Sequence, residues 1–201
     1  MISKISTAVS EWLVAQGAVT VKDKNLFSYA VYSFLFGMMP IFIIVILGLL
    51  LGMLPEGLLL ITPFMLLRKF SGGYHLKSSI VCTVTSTSLL TISLLAVRVV
   101  KTSNTNLILS VLVVLSAITL FLLSPIDSSA RRLSTKERKV FGRIARVITS
   151  IFLLIYFMLV LFDQAGIAAP IGVGIIIPAA LQLPCLFQRL FFRCKTRDVV
   201  Q

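Results

Sequence analysis

Charge is what this chain has least of. Only 13% of its 201 residues are charged, where a soluble chain of this size carries about a quarter. Acids are scarcer than bases, with seven Asp and Glu against nineteen Lys and Arg, a formal net charge of +12. A single His excludes a His-Glu-x-x-His zinc site, and a zinc ion would need the remote Cys185 or Cys194 as further ligands. No metal site or cofactor is therefore expected. No pair of intramembrane Asp residues could form an acidic dyad, and no Gly-x-Ser-x-Gly is present. Basic residues are not interleaved with stacking aromatics, so the basic balance does not point to nucleic acid. The first twenty residues lack a compact apolar run and a small-residue cleavage site, so no cleavable signal peptide is expected. Internal repeats and low-complexity linkers are missing as well.

What the chain does have is long apolar runs. Hydrophobic residues make up 58%, and no charge interrupts Leu35–Leu54, Asn104–Ile126, Val147–Phe162 or Gly166–Gln188. A hydrocarbon core of about 30 Å takes roughly 20 residues of helix, so such runs read as transmembrane helices. The fold expected is all-α: a polytopic transmembrane bundle in one membrane domain, 1–201. The bundle proper spans 35–187, with a basic tail at 188–201. About six spans are drawn, at 35–54, 56–67, 79–100, 105–124, 147–163 and 167–187. Ahead of them, Ile2, Ile5, Val9, Trp12 and Leu13 recur at helical spacing. This predicts an amphipathic helix within 1–24 lying in the membrane interface.

Placing the N-terminus in the cytoplasm and alternating through six spans puts seventeen of the nineteen basic residues inside. Only Arg98 and Lys101 fall outside. That asymmetry predicts cytoplasmic N- and C-termini. The second span is the irregular one. Glu56–Leu67 makes only about 18 Å of helix, so it reads as short or re-entrant, the kind of element that lines a cavity.

The segment after it reads Arg68-Lys-Phe-Ser-Gly-Gly-Tyr-His75-Leu-Lys-Ser-Ser-Ile-Val-Cys82. His and Cys together suggest a base and a nucleophile, imidazole taking the thiol proton so that thiolate attacks a carbonyl. Seven residues along one straight helix would separate them by about 10 Å, beyond hydrogen-bond reach of about 3 Å. A working pair therefore needs a bend, which Gly72-Gly73 permits. Ser78 or Ser79 as N-cap places Cys82 near the first turn of a helix, whose positive end favours a thiolate. Arg68 would add positive potential there or bind a substrate carboxylate. The residues alone leave another reading open, with His75 a polar loop residue and Cys82 a small packing residue. Cys185 and Cys194 lie near the cytoplasmic end, where disulfides are rare, and read as structural.

Arg-x-x-x-Gly-Gly-x-His with Cys seven residues on resembles the signature of the accessory gene regulator B (AgrB) family. These are bacterial membrane cysteine endopeptidases of peptide quorum sensing. Arg68, Gly73, His75 and Cys82 stand at matching positions, and length, polar N-terminal segment, basic loop and basic tail also match. The resemblance implies a multi-pass protein of the bacterial cell membrane. Its Cys82 would attack a short AgrD-like precursor peptide at the cytoplasmic face, with His75 as base. The C-terminal part would leave, and an acyl-enzyme would support cyclisation to a thiolactone or lactone autoinducer. A homodimer is also implied. The basic segment Ala130–Arg146, with Arg131 and Arg132, would attract an acidic precursor tail or bind anionic lipid of the bilayer and set topology. For a third residue orienting His75, Ser71, Tyr74 and a backbone carbonyl all stay open. The alternative class is a non-catalytic small membrane protein, a transporter subunit or scaffold. Few charges within the spans argue against a transport path.

Overall fold

The structure is a computed structural model. It describes residues 2–72, 79–103, 106–126 and 134–195. Within these, the side chains at 2–4, 79–80, 103, 135 and 185–195 are outside the description. The elements are all helical: α1 (Ile2–Ala15), a 3-10 turn (Val21–Asp23), α2 (Lys24–Leu51), α3 (Leu54–Ser71), α4 (Ser79–Ser103), α5 (Asn106–Leu123), α6 (Thr135–Leu161) and α7 (Ala165–Lys195). Among the described residues, five stretches are long and apolar enough to cross a membrane: Val21–Leu51, Val81–Thr102, Asn106–Leu123, Lys136–Leu161 and Ala165–Pro184. Residue contacts group the chain into two units, Met1–Ile43 and Ile44–Gln201.

In the first unit α1 forms where the apolar spacing places a helix, and the Glu11 carboxylate accepts from Lys24 Nζ at 3.0 Å. The expected apolar stripe is turned outward at Ile5 and Trp12, whereas Ser6 and Ser10 are the buried members. α2 begins about three turns earlier than the span drawn from the charge pattern, because Lys24 and Asn25 end no helix and Leu26–Phe34 continues one.

The second unit is organised around α7. It touches α3, α4, α5 and α6, and 67% of its apolar window is buried, against 17–22% for α4, α5 and α6. Small residues allow this. A Cβ on Gly174 would lie 2.5 Å from the Leu60 carbonyl oxygen, and one on Gly172 2.8 Å from the Tyr156 ring. Close backbone approach at small residues is how helices pack where lipid offers apolar groups no water to escape. Tyr156 is buried, and its hydroxyl lies 2.9 Å from Ser110 Oγ, joining α6 to α5.

Two corrections concern α3 and α6. The span drawn at 56–67 is an uninterrupted helix of 18 residues, the same count as α5. At 1.5 Å per residue that is about 27 Å, longer than the roughly 18 Å expected, although α3 is not among the five stretches apolar enough to cross a membrane. Pro55 and Glu56 belong to its first turn, and Arg68 and Lys69 extend its last. Its inner face, Leu60, Ile61, Phe64 and Leu67, is buried. The basic segment drawn as a loop to Arg146 is helical from Thr135. Ser134 Oγ accepts from the Glu137 N–H while the Glu137 carboxylate accepts from the Ser134 N–H. This reciprocal cap satisfies two of the donors that a helix start leaves open.

Chain direction alternates through the second unit. Lys101 Nζ, near the end of α4, donates to the Glu56 carboxylate at the start of α3 at 2.6 Å, and Gly166 at the start of α7 borders Lys101. The end of α3, the end of α5 and Gln182 of α7 meet at the other end.

Candidate functional site

A helix end leaves carbonyls without partners, and the end of α3 meets this need from outside the helix. The Ser71 carbonyl accepts the Ile126 N–H at 3.0 Å and the Gln182 Nε2 at 3.1 Å. Both lone pairs are used. The Gly72 carbonyl accepts Arg68 Nη1 at 3.0 Å and the Ser71 hydroxyl at 3.4 Å. Gly72 and Ile126 thereby form an isolated parallel bridge.

Gly72 is glycine for two reasons. Its φ is +73°, a left-handed backbone that side chains resist. A Cβ there would also collide with the Ile126 carbonyl oxygen. The left-handed backbone that glycine was expected to permit here is present at Gly72. Gly73 lies outside the described residues.

The wall beneath this turn comes from α5, α6 and α7. Gln182 is fully buried, and its Nε2 also lies 2.9 Å from Ser124 Oγ. Pro125 follows Ser124 through a cis peptide, and its Cδ would lie 3.0 Å from a Cβ on Gly142 of α6. Arg146 Nε donates to the Gly142 carbonyl at 3.0 Å. Phe70 of α3 meets Phe141 of α6 edge-on, with ring centres 5.9 Å apart.

Seven residues beyond Gly72, α4 begins at Ser79, so Cys82 falls in its first turn. The thiol is free and half-buried. It lies in register with Ser86, Leu90, Ser93 and Val97 along the face that α4 buries progressively toward its C-terminal end. Thr83, Ser86 and Thr87 make the helix surface around the thiol polar rather than greasy.

Arg68 is placed as a clamp on the turn rather than as a bare charge, since one guanidinium nitrogen is committed to the Gly72 carbonyl. Ser71, a candidate to orient His75, is buried with its hydroxyl on the adjacent carbonyl. His75, Tyr74, Arg131 and Arg132 lie outside the described residues, and so do the side chains of Cys185 and Cys194. Of the basic segment, Lys136, Lys139, Arg143 and Arg146 are exposed on the first turns of α6. Among the described residues, no group of three His, Cys, Asp or Glu could hold a metal.

Two contributors were not singled out from sequence. Ser134 and Glu137 carry a readable signal, Ser-x-x-Glu before an apolar run. Gln182 carries a weaker one, a lone amide in an otherwise apolar span, where a polar group needs a partner.

The family pattern described as "Accessory gene regulator B" matches residues 6–186. "Putative AgrB-like protein 2" of Clostridium perfringens strain 13 is 27% identical over 194 residues, covering 90% of this chain and 89% of the relative. "Putative AgrB-like protein" of Clostridium perfringens strain SM101 is 27% identical over 147 residues, covering 69% and 67%. No solved structure matches significantly. The family match runs from α1 into α7 and takes in the clamped turn and Cys82, so the chain belongs to the accessory gene regulator B family of membrane proteins.

Proposed function

We propose that this chain is a membrane-embedded cysteine endopeptidase that processes a short quorum-sensing precursor peptide at the cytoplasmic face. The observation that carries it is the half-buried free thiol of Cys82 in the first turn of α4, ten residues beyond the clamped Gly72 turn. His75 takes the Cys82 proton, and the sulfur attacks the scissile carbonyl of the precursor. As the C–N bond breaks, that proton passes to the departing amine, and the C-terminal part of the precursor leaves. The N-terminal part remains as a thioester on Cys82. A Cys or Ser within it attacks the thioester carbonyl, closes a thiolactone or lactone, and returns Cys82 to the thiol. Ring closure outruns hydrolysis when the internal nucleophile is held close and water is kept out.

Family membership supports a precursor peptide as partner and the membrane as setting. The charge asymmetry supports cytoplasmic termini. Arg68 and Gly72 fix the end of α3, from which the sequence runs through Gly73 to His75. The exposed bases of α6, with Arg131 and Arg132 before them, attract an acidic precursor tail.

The test is processing of the neighbouring-encoded precursor by the chain in membrane vesicles. Cys82→Ser and His75→Ala are each expected to abolish release of the C-terminal part. Processing that survives Cys82→Ser sinks the nucleophile assignment, because a hydroxyl ionises far less readily than a thiol.

A further inference from the structure

Gln182 is the one residue of the described chain whose burial and bonding the fold alone does not explain. It is fully buried in α7, an otherwise apolar helix at this level, yet its amide reaches 111 positions back in sequence to the end of α3. The Ser71 carbonyl can only accept, so the nitrogen of the amide must face it. The same nitrogen reaches Ser124 Oγ at the end of α5. Its carbonyl oxygen, Oε1, has no partner among the described residues. A buried acceptor left open costs stability unless something donates to it.

If helix packing were its only task, a Leu or Met would fill the same space without that cost. The amide does something an apolar side chain cannot, since it fixes the carbonyl of the last residue of α3. Ile126 N–H and Arg68 act on the same two peptide units from other directions. Three elements, α3, α5 and α7, are thus tied to one turn, and in sequence that turn leads to His75 three residues later.

We propose that Gln182 is a positioning residue for the peptidase reaction. It holds the Ser71–Gly72 backbone, the point from which the sequence runs on to His75. This rests on the cysteine-peptidase reading above. Gln182 touches no reacting atom. Its removal therefore acts on turnover and not on peptide affinity.

Two substitutions separate positioning from packing. Gln182→Met keeps length and volume but removes donor and acceptor. Gln182→Glu keeps the shape, and burial favours the neutral carboxyl, whose O–H donates to the Ser71 carbonyl. Both are measured with purified full-length protein in vesicles, using the precursor peptide and reading kcat, KM and thermal midpoint, with Cys82→Ser alongside. A misplacement of about 1 Å remote from the chemistry costs as much as about 100-fold. Gln182→Met is therefore expected to lower kcat about 10- to 100-fold with KM within about twofold. Gln182→Glu is expected to stay within about fivefold of the unsubstituted chain.

A packing role gives the reverse order, with the apolar substitution tolerated better than the carboxyl. That order overturns the proposal. So does a native kcat in Gln182→Met, or a parallel loss of kcat, KM and thermal midpoint in both variants. An active Cys82→Ser chain removes the reading on which the proposal rests. An inactive Cys82→Ser chain beside a fully active Gln182→Met chain removes the positioning role alone.

Discussion

The two ends of the helices around α7 are closed by different chemistry. At one end one ion pair among the described residues, Lys101 with Glu56, links the end of α4 to the start of α3, with the two side chains 35% and 18% exposed. At the other, the end of α3 is held by the Ile126 N–H and the buried Gln182 amide on the Ser71 carbonyl, and by the half-buried Arg68 on that of Gly72. A pair that water still reaches tolerates change better, because solvent can stand in for a lost partner. A buried network does not, because each lost donor leaves an acceptor dry. The chain thus places its most exacting construction where the sequence turns toward His75 and Cys82, and its most forgiving one at the far end.

Substitutions along this axis grade from severe to negligible. The severest probes what both ends depend on, the crossing of α3 and α7. Gly174→Leu would drive carbon into the Leu60 carbonyl and Pro63. Overpacking costs about 1–3 kcal/mol where neighbours can move, and here one neighbour is backbone. Loss of folded protein is expected, read as the disappearance of a cooperative melt in detergent. Next comes Gly72→Ala, which meets the Ile126 carbonyl and a disfavoured backbone worth about 1–3 kcal/mol. Precursor processing is expected to fall at least about tenfold while the helical signal remains. Ser124→Ala removes only the lesser partner of Gln182, a bond worth about 1 kcal/mol net, and is expected to slow processing less than about fivefold. Glu56→Gln, at the far end, is expected to leave processing unchanged and to cost less than about 1 kcal/mol. If Glu56→Gln hurt turnover as much as Gly72→Ala, the contrast between the two ends would be lost.

Much of this architecture is legible in the sequence, for identifiable reasons. Uncharged runs located the cores of α2, α5, α6 and α7, because burial in lipid forbids charge whatever the tertiary packing. Charge does not mark the helix ends, since α3 and α6 both extend through basic residues. Arg68 and Lys69 stay helical because a long basic side chain can bond the final carbonyls of its own helix. Lys136 to Arg146 stay helical because Ser134 and Glu137 start α6 early. At the site, Gly72 and Cys82 stood out through residue type and spacing. Gln182 did not, because its meaning depends on a carbonyl 111 positions away. Only the folded chain brings the two together.

The central claim, that Cys82 carries the peptide as a thioester, is tested most directly by trapping that thioester. A precursor whose own ring-closing Cys or Ser is replaced by Ala can be cleaved but cannot cyclise. Incubated with the chain in vesicles and analysed by intact-protein mass spectrometry, it is expected to add the mass of its N-terminal part to Cys82. Hydroxylamine should release that mass, and Cys82→Ala should prevent its appearance. Cleavage of this precursor by the Cys82→Ala chain would contradict the account.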